Sequence, residues 1–374
     1  MFSKNALTSI EFQSSEEIKE YQNQKLQEQL KYLVTHSKFY QDLFEKHQID
    51  WKSIRSIEDL VKIPVTSKND LQQFNSDFLC VLPTEIIDYS TTSGTLGDPV
   101  TFGLTDKDLD RLATNEMNSF QRIGVQKGDV VQLMTTIDRR FMAGLAYFLG
   151  LRKIGAGVIR VGAGVPQLQW DSILKYQPKY LVAVPSFLLK MIDYAEKNNI
   201  DYQNSSVKAV LCIGESLRDK ELNPSLLTQK ISSKWDVQLF STYASTEMGT
   251  AFTECEVGVG GHHQPDLIIT EILDENNEVV EDGELGELTI TTLGIEGMPL
   301  LRFKTGDLLR KHSDKCKCGS NSYRLGPVEG RKQHMIKYKG TTLYPPALHD
   351  ILNHFDEIKL HLIEIYSNEF GTDE

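Results

Sequence analysis

The chain has 374 residues, enough for two or three domains around a large core, and its 40% apolar and 25% charged residues are ordinary soluble-protein usage, which argues against long disorder. The 52 acidic and 40 basic residues give a formal charge of −12, the wrong sign for a general nucleic-acid binder, and no Lys/Arg block supplies a local patch. Met1 to Phe12 has no signal-like apolar stretch, the most apolar run (Phe141 to Leu151) is too short to span a bilayer, and five cysteines do not resemble a disulfide framework, so a cytoplasmic protein with no membrane or nucleic-acid partner is expected.

The first eighty or so residues read as helical. Leu26, Leu30 and Leu33 stand at i, i+4 and i+7 and form one apolar stripe, with Lys25, Gln29 and Lys31 expected in water. Ile86–Tyr89 reads as a strand and Asp106–Arg111 as the opening of a helix. Apolar runs at Val130–Met134, Val158–Val161, Tyr180–Val184, Val207–Ile213 and Gln238–Phe240 then alternate with amphipathic segments. Those segments, Arg139–Arg152, Gln169–Tyr176, Ser186–Asn198 and Asp219–Lys234, read as helices. Such alternation predicts an α/β core with a mostly parallel sheet. After about residue 265 the pattern changes to β-branched strands, Leu267–Leu273 and Glu287–Thr292, beside turn-prone Asp274–Asn277 and Gly283–Gly286, which predicts antiparallel hairpins. From Gly330 onward a third unit begins, with a strand at Met335–Lys337 and a helix at Ala347–Phe355.

Three segments carry candidate chemistry. Ser90-Thr91-Thr92-Ser93-Gly94-Thr95-Leu96-Gly97-Asp98-Pro99 concentrates hydroxyls and glycines that suit a phosphate cradle, although it lacks the lysine of a Walker A loop and also suits a plain surface loop. Ser241–Gly249 follows a buried strand: Tyr243 suits a flat base, Thr246 a phosphate and Glu247 a hard cation, the alternative being a strand end followed by a capped helix. In Met298–Asp307, Asp307 follows Thr305-Gly306 and suits a ribose diol, or an Asx-type turn.

The order of these segments, with Ile213-Gly214-Glu215 and Gly330-Arg331 among them, resembles the adenylate-forming superfamily and, within it, the phenylacetate–coenzyme A ligase branch. The opening Ile63-Pro64-Val65-Thr66-Ser67-Lys68 and the stretch Gly155-Ala156-Gly157 are similar to that branch as well. The resemblance implies a large adenylate-forming domain over residues 1–330, with a helical start (1–80), an α/β core (81–265) and a small β-rich subdomain (266–330). Residues 331–374 would then open a C-terminal α+β unit that is incomplete. By position, it implies that Ser93, Gly94, Thr95 and Gly97 hold ATP phosphates, and that Gly214, Glu215, Tyr243 and Ala244 surround adenine. Thr246 touches the α-phosphate, Glu247 holds Mg²⁺, Asp307 grips the ribose and Arg331 acts from the junction. The implied reaction joins a small carboxylic acid, aromatic or otherwise medium-sized, to coenzyme A through an acyl-adenylate. A carrier-protein thiol as acceptor, or an impaired nucleotide- or adenylate-binding homologue, is the alternative; a homodimer is the implied assembly. Acid specificity is expected from walls near Phe141–Gly150 and Ile213–Tyr243. The junction reads Gly330-Arg331-Lys332-Gln333-His334, where the family usually places an acidic residue or lysine after the arginine. The family's late catalytic lysine has no match, Lys359 coming too early, so the chain is expected to be a piece of a longer protein or a short variant.

Cys316-Lys317-Cys318-Gly319 is a tight pair of thiols, and Cys255 precedes His262 by seven positions. Three thiolates and an imidazole make a closed tetrahedral zinc set, with His263 the rival for His262; four unconnected residues is the alternative. The same branch carries a similar pattern, which implies a structural Zn²⁺ on Cys255, His262, Cys316 and Cys318. Cys80 and Cys212 read as buried small hydrophobes.

Overall fold

The structure is a computed structural model. It describes residues 10–92 and 99–332, together with 336–338, 341–345, 348, 352, 355, 358 and 364. Helix α1 (Ser15–His36) is capped reciprocally: the Glu17 N–H donates to Ser14 Oγ at 3.2 Å and the Ser14 N–H to Glu17 Oε2 at 2.9 Å. Leu26, Leu30 and Leu33 are fully buried against α2 (Lys38–Lys46) and the segments that follow. Gln29, expected in water, is buried too. Its row of α1 is also covered, as Gln22 on that row shows by donating to the carbonyls of Pro265 and Ile268 at 3.1 and 3.0 Å.

After the short α3 (Lys68–Gln73), β1 (Asp88–Thr91) pairs antiparallel with β2 (Thr101–Leu104). Helix α4 (Asp106–Arg122) follows, capped by Thr105. Then β3 (Val130–Leu133), α5 (Met142–Ile154), β4 (Gly157–Arg160), α6 (Pro166–Tyr176), β5 (Tyr180–Ala183), α7 (Pro185–Lys197), β6 (Ala209–Cys212), α8 (Leu226–Ser232) and β7 (Gln238–Ser245) alternate as expected. Strands β4, β3, β5, β6 and β7 lie side by side and parallel. On β5, Leu181 and Ala183 enter one apolar cluster and Tyr180 and Val182 another, so both sheet faces are covered and the strands read as unbroken apolar runs. The helix expected over Asp219–Lys234 forms only at its C-terminal half. Pro224 lacks an N–H and disfavours helical geometry before it, and the Asp219 N–H instead closes a turn on Asn223 O at 2.9 Å.

Beyond β7 the pairing turns antiparallel through β8 (Thr250–Thr253), β9 (Gly261–His262), β10 (Ile268–Leu273), β11 (Leu285–Thr292), β12 (Phe303–His312), β13 (Arg324–Leu325) and β14 (Gly330–Arg331). Because β9 pairs with both β8 and β13, the β-rich part joins the parallel part edge to edge in one 12-stranded sheet. Strands β15 (Ile336–Tyr338) and β16 (Thr341–Leu343) form a separate hairpin. Cys80 and Cys212 are buried, and burial pushes the Cys80 thiol up to about 12. Among the described residues no helix is long and apolar enough to cross a membrane.

Candidate active site

A cavity of about 900 Å³ opens where β3, β5 and β6 end and β7 leaves its parallel pairing with β6, with Thr135, Val184, Gly214 and Thr242 on its wall. Open α/β sheets bind ligands at this end because loops leave the strands there in diverging directions. Gly214, Ala244, Thr246, Glu247, Asp307 and Arg331 all line it, so residues scattered over more than a hundred positions converge. Part of the wall comes from Phe141, Met142, Ala146 and Tyr147, and Ile213 lies beside Gly214.

Thr246 and Glu247 occupy the reverse turn between β7 and β8, which runs antiparallel from Ser245↔Thr250. Ser241–Ser245 is therefore strand, not loop, and no helix follows. The turn is held from beneath by Arg111 of α4, a buried guanidinium. Its Nη1 donates to Gly249 O at 2.6 Å, Nε to Leu293 O at 2.7 Å, and Nη2 to Leu267 O at 2.6 Å and Thr250 Oγ1 at 3.0 Å. Burial pulls its pKa down to about 10. Among the described residues no hydrogen bond or ion pair engages the Glu247 carboxylate, which leaves it free for a hard cation.

Asp307 reaches the cavity through an irregularity in β12. Glu287 pairs with Leu308 and Thr289 with Lys304, so β12 holds two more residues than β11 over this stretch and bulges. Gly306 takes φ +81° there, and Thr305 Oγ1 donates to Leu288 O at 2.9 Å, satisfying a carbonyl beside the bulge. Asp307 Oδ1 accepts from Arg331 Nε at 2.8 Å and Oδ2 from the Tyr243 hydroxyl at 2.7 Å. Next to them, Glu287 Oε2 lies between Lys304 Nζ at 3.0 Å and Lys332 Nζ at 3.2 Å, all three on the cavity wall.

Two expected adenine neighbours do not line the cavity. Side chains alternate along β7, so Thr242 and Ala244 face it while Tyr243 points to the other face and packs on Phe252, ring centroids 6.2 Å apart. The Glu215 carboxylate instead caps α7, accepting from the Ser186 N–H at 2.8 Å and hydroxyl at 2.7 Å. Ser93, Gly94, Thr95 and Gly97 lie outside the described residues; Thr91 and Thr92 just before them line the cavity.

A second cluster lies away from the cavity wall. One ligand atom each from Cys255, His262, Cys316 and Cys318 lies within 4.8 Å of every other, so the group can hold a metal ion. Cys255 Sγ is 3.7 Å from Cys316 Sγ, and Cys318 Sγ is 3.6 Å from His262 Nε2. A tetrahedron with Zn–S bonds of about 2.3 Å has edges of about 3.8 Å, so the donors fit one ion. Gly258 (φ +67°) and Gly319 (φ +95°) close the tight turns after Cys255 and Cys316, their N–H groups donating back to the cysteine carbonyls at 3.0 and 3.1 Å. His263 is settled by strand alternation: it points the other way, its Nε2 2.6 Å from Ile268 O and its ring stacked on Tyr323 at 4.2 Å.

The AMP-binding enzyme family model matches residues 83–296. Phenylacetate–coenzyme A ligases of Thermus thermophilus and Pseudomonas putida are each 26% identical, over 96% and 97% of this chain and 80% and 82% of theirs. In fold, the chain is similar to a solved 2-hydroxyisobutyryl-CoA ligase in an open conformation with 2-HIB-AMP and CoA, with a TM-score of 0.82 at 24% identity over 93% of this chain and 82% of that one. The postadenylation state of 2-hydroxyisobutyryl-CoA ligase in complex with R3-HIB-AMP gives 0.83 at 23% identity, over 93% and 74%. The chain belongs to the AMP-binding enzyme family, on the branch that holds the phenylacetate–coenzyme A ligases.

Proposed function

We propose that this protein activates a small carboxylic acid with ATP, releasing pyrophosphate and leaving an acyl-adenylate, and then passes the acyl group to the thiol of coenzyme A with release of AMP. The observation that carries this reading is the convergence of Gly214, Thr246, Glu247, Asp307 and Arg331 on one cavity at the ends of the parallel strands. A carboxylate oxygen attacks the α-phosphorus. Such a step needs alignment and stabilisation of phosphate charge more than an enzyme nucleophile. In this reading Thr246 donates its hydroxyl to the α-phosphate, Asp307 accepts from the ribose hydroxyls, and Gly214 and Ala244 leave room for the base. Lys304 and Lys332 add positive charge to the same wall. Glu247 would hold Mg²⁺, which when bound neutralises phosphate charge. Residues 1–330 form the nucleotide-binding unit and Arg331 stands where the next unit begins.

In the same reading Cys255, His262, Cys316 and Cys318 hold a structural Zn²⁺, because three thiolates and an imidazole form a closed set with no open position for chemistry. ATP–pyrophosphate exchange across a panel of acids tests the first half-reaction. Thioester formation with coenzyme A, run beside a carrier-protein acceptor, tests the second. Exchange with a subset of acids and a coenzyme A thioester is the expected result. ATP binding without exchange by any acid overturns the proposal.

A further inference from the structure

The cavity wall between α4 and α5 is largely apolar. Leu112 of α4 and Met142 and Ala146 of α5 line it, and Leu112 and Met142 also border a small recess beside Thr246 and Glu247. Glu116 follows Leu112 by one helical turn on the same face of α4 and lines the same cavity. It is only 4% exposed. Oε1 accepts from Asn115 Nδ2 at 2.9 Å, whereas Oε2 has no hydrogen-bond partner among the described residues. No ion pair reaches it within the same set. Gly150 brings α5 close against its stem: a Cβ added there would lie 2.5 Å from Glu116 Cβ. Burial pushes the carboxyl up to about 8. A buried carboxyl with one unused oxygen in the wall of a ligand cavity is costly unless the ligand supplies the missing partner.

We infer that Glu116 is a specificity determinant, selecting acids that carry a hydrogen-bond-donating substituent, an amine or a hydroxyl, over hydrocarbon acids of the same size. The inference rests on the ligase reading, in which the apolar wall beside Thr246 and Glu247 takes the acyl chain with its carboxylate toward those residues. Glu116 then meets the substituent at the far end. Burial favours the protonated carboxyl; an ammonium group would draw it into the ionised form and pair with it, and a hydroxyl would donate to the carboxyl oxygen that carries no proton.

The test compares phenylacetate with its ring-amino and ring-hydroxy derivatives in ATP–pyrophosphate exchange. The wild-type protein should favour at least one polar derivative by about tenfold in kcat/KM. Glu116→Val should erase that preference. Glu116→Gln, which keeps the shape and an acceptor oxygen, should keep a preference for the hydroxy acid and lose one for the amine. Calorimetry of the same acids with an unreactive ATP analogue reads the preference as dissociation constants, without turnover. A wild-type ratio within about twofold of unity, or a ratio that neither variant changes, overturns the inference. Preference in binding with no exchange overturns the ligase reading alone, and exchange without preference overturns this inference alone.

Discussion

The Tyr243 hydroxyl donates to Oδ2 of Asp307 at 2.7 Å, fixing from the far side of β7 a carboxylate that opens on the cavity. Arg331, half-exposed, takes the other oxygen from outside at 2.8 Å. Each carboxylate oxygen keeps a lone pair beyond these bonds, so Asp307 can still accept from a ribose diol while its orientation is set. Tyr243→Phe keeps the ring against Phe252 and removes the orienting bond. KM for ATP should rise by about three- to tenfold with kcat nearly unchanged. Asp307→Ala removes the acceptor itself and should raise KM by about a hundredfold or more. Exchange kinetics at varied ATP check both, and a Tyr243→Phe enzyme with a wild-type KM would show that the phenol does not orient the carboxylate.

The thiol–imidazole cluster joins the turn after β8, strand β9 and the loop between β12 and β13. Those strands form the seam between the parallel and antiparallel parts of the sheet, and β12 carries Asp307. Elemental analysis of purified protein should find about one zinc per chain. Removing it with a chelator, or substituting Cys316→Ser, should lower Tm and also raise KM for ATP, since the strand that aims Asp307 loses an anchor. A folded metal-free protein with unchanged Tm would refute a structural metal here.

The convergent residues were legible because each sits beside turn chemistry: Gly214 after an apolar run, Thr246–Glu247 before Gly249, and Asp307 after Gly306, whose turn proves to be a bulge within β12. The thiol–imidazole quartet was legible from residue types, but only strand alternation separates His262 from His263. Ser241–Ser245 has no apolar alternation, which hid the extension of β7 and with it the direction of Tyr243. Arg111 and Glu116 were missed altogether. They stand in a helix that begins Asp-Lys-Asp-Leu-Asp-Arg, yet α4 is covered by both α5 and β8, burying Asp108, Arg111, Asn115 and Glu116. Polar residues on a buried helix face leave no apolar stripe that would mark that face as buried.

Glu116 also makes stability depend on pH. Its carboxyl stands at about 8 in the folded protein against an ordinary 4.5. Between these values the unfolded chain releases a proton that the folded chain retains, so this residue's contribution to stability falls as pH rises. At roughly 1.4 kcal/mol for each pKa unit, the full effect reaches a few kcal/mol. Glu116→Gln carries no such proton. Its stability relative to wild type, from urea unfolding, should improve steadily from about pH 5 to about pH 8. A difference that stays flat over that range would mean that Glu116 ionises normally in the fold.

The bulge that presents Asp307 depends on Gly306, whose φ of +81° is costly for a residue with a Cβ. A Cβ added at this position meets nothing within 4 Å, so Gly306→Ala is opposed by backbone conformation alone and not by a clash. That separates two effects usually mixed. The global cost should be about 1 kcal/mol, within reach of a cooperative fold of this size. Relieving the strain, however, requires the Thr305–Asp307 segment to rotate, and the carboxylate turns with it, away from Tyr243 and Arg331. Gly306→Ala should therefore lower Tm by only a few degrees while raising KM for ATP by about tenfold or more, a loss much larger than the stability change explains. Should ATP affinity and Tm both stay at wild-type values, the left-handed turn would not be what aims Asp307 into the cavity.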